Sequence, residues 1–177
     1  WLASGEVVGI LNSDDIYVDS FTVSSIINAF KESKADCVFA DLIYTRPPDD
    51  NKVIRYYKAN SFRLKHFEYG HQPPHPTCFI KKKCYDEYGL YNTDFEISAD
   101  FELLLRYLWK HKIDFYHLPK TVVKMRMGGK STRGLKSTFV LNREILKACK
   151  IHGLGTNYFK IYSKYFFKLF QLINRPE

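Results

Sequence analysis

At 177 residues, 45% apolar and 26% charged, the chain can bury a core and fits a single domain, which excludes disordered and fibrous classes. Its formal net charge of +8 points to anionic company, whether nucleic acid, an acidic membrane surface or a small phosphate-bearing ligand. Cys37, Cys78, Cys84 and Cys149 lack Cys-x-x-Cys spacing and any regular framework, which argues against a zinc site or disulfide scaffold and for a reducing, cytoplasmic compartment.

Residues 6–11, rich in β-branched side chains and closed by Asn12, Ser13, Asp14 and Asp15, predict a short buried strand ending on an acidic turn. Asp19 or Ser20 can cap a helix to about Lys34, with Val23, Ile26, Ile27 and Phe30 on one face. A strand over 37–44, interrupted by Asp41, leads through a turn-rich connector at 45–51 to a further strand at 52–57. GHQPPHP, residues 70–76, reads as a rigid polar loop, followed by a strand at 77–80 and a short helix at 81–88 stopped by Gly89. After a loop at 90–97, Ser98 is the expected cap of a helix with Phe101, Leu104, Leu105 and Leu108 inward and Asp100 in its first turn.

Two strands are expected at 115–118 and 121–127, then a basic loop at 128–133, then a helix at 136–152 with Leu141, Ile145, Ala148 and Cys149 inward. The last segment, 158–173, puts Tyr158, Tyr162, Tyr165, Leu169 and Leu172 on one face and Lys160, Lys164, Lys168 and Gln171 on another. Such an aromatic, basic helix suits either the interface of an anionic membrane or packing onto the domain itself, and its lysines exclude a membrane span. The chain begins at Trp1 without a charged leader or a long apolar stretch, so neither a signal peptide nor a conventional span is expected.

The pair Asp14 and Asp15 admits two readings. Adjacent carboxylates repel, and at a strand end in an α/β pattern they suit a hard divalent cation held jointly with a diphosphate. They also suit a solvated turn, where acids hydrogen-bond their own backbone. Asp100 is likewise either a general base or an acid favoured by the helix dipole. In the loop, Gly128 and Gly129 free the backbone to approach phosphate that Lys130 and Arg133 could neutralise beside Ser131, or the loop is simply solvated. His75 beside prolines is either part of a site or structural.

The succession of strand, Asn-Ser-Asp-Asp, capped helix, strand ending in FADLIY, and the helix start ISADFELLLR resembles the inverting glycosyltransferases of family 2, which have the GT-A fold. The resemblance runs to about Ser131 and implies a partial GT-A, Rossmann-like mixed sheet flanked by helices. Residues 1–133 would then be the C-terminal part of the catalytic domain and 134–177 a helical tail. It implies Mg²⁺ or Mn²⁺ bridging the diphosphate of a nucleotide-sugar donor, with Asn12, Ser13 and Asp14 as the metal motif and Asp100 as general base. Asn12 stands where many members carry Asp, so the metal falls to Asp14 and Asp15. Lys130, Ser131 and Arg133 correspond to a Gly-Gly-x-Ser lid, and His75 to a strand entrance facing the acceptor.

The acceptor would be a saccharide or a lipid-linked sugar of bacterial surface polysaccharide. The strands that hold the nucleoside base in such enzymes would precede Trp1, so these residues alone are expected to bind nucleotide weakly and turn over little. Two rivals stand beside this reading. One is a non-enzymatic basic module on membrane or nucleic acid, against which the scattered basic residues and core-spaced aromatics count. The other is a nucleotidyltransferase with similar strand-end acids.

Overall fold

The computed structural model describes residues 3–46, 49–126 and 135–173. One mixed sheet contains β1 (Val7–Gly9), β2 (Asp15–Tyr17), β3 (Cys37–Arg46), β4 (Asp49–Tyr57), β5 (Phe79–Lys81) and β6 (Phe115–Arg126). The order is β1-β5-β3-β6-β2, with β4 also on β3. β3 is the spine, parallel to β6 on one side, while β5 and β4 run antiparallel to the two halves of its other side. Paired on both edges and covered on both faces, it carries the near-continuous apolar run that such a position requires.

Asp41 interrupts that run at a register shift between β3 and β6. Its Oδ1 accepts the Ala59 N–H at 2.8 Å and lies 2.8 Å from Nε2 of His117, so the half-buried polar group is satisfied rather than stranded. On β6 the same shift skips Pro119 and Lys120, since proline offers no ladder donor. The two strands expected at 115–118 and 121–127 are therefore one irregular strand. The connector expected at 45–51 shrinks likewise, because β3 continues to Arg46 and β4 already starts at Asp49.

Helix α1 (Thr22–Ser33) packs Ile26, Ala29 and Phe30 against Val38 and Phe79. Its start is held by Asp19, whose Oδ1 accepts the Phe21 N–H at 2.9 Å and the Thr22 hydroxyl at 3.2 Å. Phe39, next to Val38, joins the larger core instead, as strand alternation demands. That core gathers Leu103 and Leu104 of α3 (Ala99–Leu104), Ile145 and Cys149 of α4 (Leu135–Ile151) and Ile161 of α5 (Tyr158–Ile173). Helix α2 (Lys82–Tyr88) ends at Gly89 with φ 86°, and α3 runs on as a π-helical turn over Leu105–Lys110.

Ser98 does not cap α3 through its side chain; its hydroxyl donates to the Leu141 carbonyl at 3.3 Å. The buried carboxylate of Glu144 on α4 collects the N–H groups of Glu96, Ile97 and Ser98 at 2.7, 3.0 and 2.9 Å. Burial opposes its charge, but these three donors hold its pKa below the usual glutamate range.

On α5, Lys164 is buried at 6% exposure beside Ile161, and Lys160 pairs with Glu68 at 2.6 Å. Tyr158 and Phe159 face outward instead. The described part of the expected basic stripe thus divides between an inward lysine and a paired one. No described helix is long and apolar enough to cross a membrane.

Candidate functional site

The opening apolar run is not a single buried strand. β1 is three residues at the sheet edge, and Ile10 and Leu11 beyond it are exposed. Asn12 to Asp14 turn the chain, and Asp15 opens β2 at the opposite end of the strand order. Four strand spacings of about 4.8 Å separate those ends in a flat sheet, close to the full reach of the six residue steps from Gly9 to Asp15. The sheet curls, and the quartet is carried to the C-terminal end of β6, where Asp15 pairs with Met125.

The two acids have different surroundings. Asp14 is exposed and Asp15 is buried at 4% exposure. The Asn12 Nδ2 donates to Asp15 Oδ2 at 2.8 Å, and the Asp15 N–H reaches the Asn12 carbonyl at 3.1 Å. Oδ1 of Asp15 is buried with no hydrogen-bond partner among the described residues. Burial pushes the Asp15 pKa up, with the neighbouring Asp14 charge adding to the shift, while Asn12, the Arg126 backbone and His75 counter it.

His75 links this acid to the other expected carboxylate. It sits in a 3₁₀ turn, His75–Thr77, at the end of the proline-rich loop. The loop is fastened to β3 by Thr77, whose buried hydroxyl lies 2.8 Å from the carbonyls of Ala40 and Pro74 and accepts the Ala40 N–H at 3.2 Å. Pro73, Pro74 and Pro76 fix the backbone φ around the histidine. Nε2 of His75 lies 2.7 Å from the Tyr91 hydroxyl. Burial lowers the His75 pKa, while the charges of Asp100 and Asp15 both act to raise it. Both carboxylates are thus close enough to act on the one imidazole. The net downward shift leaves the ring neutral near pH 7.

Asp100 lies in the first turn of α3 as expected. Its Oδ2 accepts Gln72 Nε2 at 2.7 Å, and its Oδ1 accepts the Phe101 N–H at 2.8 Å. Each oxygen keeps further acceptor capacity. Asp100, Gln72 and His75 line a cavity of about 1050 Å³, whose walls include Tyr44 and Tyr57 of β3 and β4 and Tyr165 of α5. A volume of this order admits a ligand of saccharide size. Of the expected acids Asp100 alone lines the cavity; Asp15 pairs with Met125, one of the lining residues, while Asn12 and Asp14 lie in the turn before it. Lys130, Ser131 and Arg133 lie outside the described residues.

No family model and no curated protein matches this chain. Solved structures do. The complex of S. aureus TarS residues 1–349 with UDP-GlcNAc aligns with a TM-score of 0.57 at 14% identity, covering 86% of this chain and 45% of that one. The same TarS segment without that ligand gives 0.55 at 14% identity, over 87% and 43%. A further TarS structure gives 0.55 at 14% identity, over 86% and 26%.

The chain is similar in fold to TarS. It spans less than half the length of these TarS chains, and the likeness is one of a mixed α/β glycosyltransferase fold with a curled sheet flanked by helices. Two residues of the cluster carried little signal in the sequence. Gln72 and Tyr91 are ordinary loop residues, recognisable only once the proline-rich loop and α3 are seen to converge on one cavity.

Proposed function

We propose that this chain belongs to a glycosyltransferase that moves a sugar from a nucleotide-sugar donor to a saccharide or lipid-linked acceptor, with inversion and with a divalent metal. Bacterial cell-surface polysaccharide is the setting this reading favours. One observation supports it above the others: Asp100, held by Gln72 at 2.7 Å, opens with His75 onto a cavity of about 1050 Å³, within a fold similar to that of a protein bound to UDP-GlcNAc.

The residues fit a hard cation. Asp15 Oδ1 is buried without a hydrogen-bond partner among the described residues, and Asp14 stands exposed beside it. Among the described residues no group of three His, Cys, Asp or Glu gathers to hold a metal. The protein would supply one or two carboxylates, leaving the remaining positions to phosphate oxygens and water, as Mg²⁺ tolerates. Bound there, the ion would act as a Lewis acid towards the diphosphate.

This chain's own groups do the rest. Asp100 takes the proton of the acceptor hydroxyl at a carboxylate oxygen, held in place by Gln72 and by the Phe101 N–H. His75, held by the Tyr91 hydroxyl at 2.7 Å, stands beside Asp100 in the cavity wall. The aromatic side chains in the walls offer apolar faces to sugar rings.

The decisive experiment screens nucleotide-sugar donors with Mg²⁺ or Mn²⁺ on the full polypeptide and follows nucleoside diphosphate release. Asp100→Asn should lower kcat by about 10²-fold or more while leaving the donor KM unchanged. Wild-type turnover in that variant would overturn the assignment of the base.

A further inference from the structure

A hydrogen-bond chain of three side chains, drawn from three segments, ends on the cavity wall. Tyr85 belongs to α2, Tyr91 to the loop before α3 and His75 to the proline-rich loop. The Tyr91 hydroxyl meets Nε2 of His75 at 2.7 Å with the two rings at 89°, and it is also hydrogen-bonded to Tyr85. Tyr85 is buried at 4% exposure and packs edge-on against Tyr107. The backbone beneath the imidazole is fixed as well, because the His75 carbonyl accepts the Cys78 N–H at 2.9 Å. Each partner of Tyr91 is thus held by its own segment.

The direction of the chain follows from its chemistry. Burial raises the pKa of both phenols, so each keeps its proton at neutral pH. The bond between them raises Tyr85 further and lowers Tyr91, the pattern of a Tyr85 hydroxyl donating to the Tyr91 oxygen. The Tyr91 hydrogen then points at Nε2. A neutral imidazole that accepts at one nitrogen carries its hydrogen on the other. That other nitrogen, Nδ1, has no hydrogen-bond partner among the described residues, and His75 lines the cavity together with Asp100. The charged groups acting on the ring, Asp100 and Asp15, are both anionic, which favours an N–H over a lone pair at the open nitrogen.

We propose that Tyr91, backed by Tyr85, is a positioning residue that locks His75 as its Nδ1-protonated tautomer, so that the ring offers a donor to a sugar hydroxyl in the cavity. The sugar contact rests on the transferase reading above; the tautomer does not. A hydroxyl both donates and accepts. With Nδ1–H on one residue and a carboxylate on the other, the wall supplies one group of each kind: a sugar oxygen accepts from His75 while a sugar O–H is directed to Asp100. The opposite tautomer would present two acceptors and leave the sugar oxygen without a donor from either residue.

The test is long-range proton–nitrogen NMR on the isotope-labelled protein at neutral pH, with the His75 signals assigned by their loss in His75→Gln. Nδ1 should carry the hydrogen in the native chain. Tyr91→Phe removes one hydroxyl and should shift His75 to the other tautomer or to a mixture, while the remaining histidine signals stay in place. Tyr85→Phe should move it in the same direction by less. Glucose, galactose and N-acetylglucosamine are the sugar probes. At least one should perturb the His75 nitrogens of the native chain and bind about fivefold or more weakly to Tyr91→Phe.

A native His75 protonated on Nε2, or a Tyr91→Phe chain that keeps the Nδ1 pattern, overturns the proposal. So does a His75 indifferent to all three sugars. In the full polypeptide, an unchanged acceptor KM in Tyr91→Phe would remove the positioning role and leave the transferase standing. The expected tautomer and sugar response without transfer from any donor would leave His75 a sugar-binding group and remove the transferase instead.

Discussion

Glu144 illustrates how one side chain organises the approach to a catalytic-type carboxylate. Its two oxygens take three successive backbone N–H groups immediately before α3, fixing the chain that delivers Asp100. In Glu144→Gln the amide would present a donor where the native residue presents an acceptor, leaving buried N–H groups facing N–H groups. A loss of about 1.5–3 kcal/mol is expected, measured as a drop in urea midpoint with an unchanged denaturant slope. An unaltered midpoint would mean that water serves these donors equally well. Asp15 is the opposite case, a buried carboxylate whose charge is disfavoured by its surroundings, the kind of unrelieved polar group that accompanies ligand sites more often than plain turns.

The element that brings the acids into relation is the loop at residues 70–77. Prolines stiffen it, but Thr77 decides where it sits, through a fully buried hydroxyl that reaches Ala40 on β3 at the register irregularity. Thr77→Val keeps shape and removes the hydroxyl, so the Ala40 N–H loses its acceptor. Destabilisation of about 1–3 kcal/mol should follow. The placement of Gln72 and His75 would loosen with it, so KM for the acceptor should rise further than stability loss accounts for at a temperature where the variant is fully folded. Unchanged KM in a destabilised variant would confine Thr77 to folding. Helix α5 works at the same scale: Ile161 and Lys164 point inward while Lys160 is anchored to Glu68, so this helix forms a wall of the cavity rather than a free amphipathic tail in its described part.

Across the whole molecule, two buried glutamates contribute to the response to acid. Glu102 lies 2.7 Å from His152 and 2.9 Å from Arg106. Burial works against its charge, yet those partners hold its pKa below the ordinary 4.5, as three N–H donors do for Glu144. For a depressed carboxylate the unfolded chain binds protons first. The stabilisation is therefore complete above about 4.5 and is lost as pH falls through the lower folded values. Below about pH 4.5 the urea midpoint should fall more steeply for the native chain than for Glu102→Gln. A midpoint insensitive to pH below 4.5 would contradict the pairing.

Much of the architecture was written in local pattern. Apolar runs marked β3 and the opening of β6, 3.6-residue spacing marked α1, α3 and α4, and Gly89 marked the end of α2, because backbone propensity and one-sided burial act over a few residues. Local pattern also singled out Asp14, Asp15 and Asp100, as acids at a strand's edge and a helix start. It did not reveal that β1 is an edge strand and Asp15 the start of another strand, because the partner of Asp15 is Met125, far along the chain.

Nor did it reveal Glu144 in place of Ser98, or Lys164 buried against Gly70. Those depend on which distant segments meet. The sequence by itself determined the elements and the acids they carry; the tertiary structure alone decided that Asp100 and His75 line one cavity and that Asp15 is buried against the end of β6. The reason is that charge and desolvation depend on distance in space, and separation along the chain does not encode it.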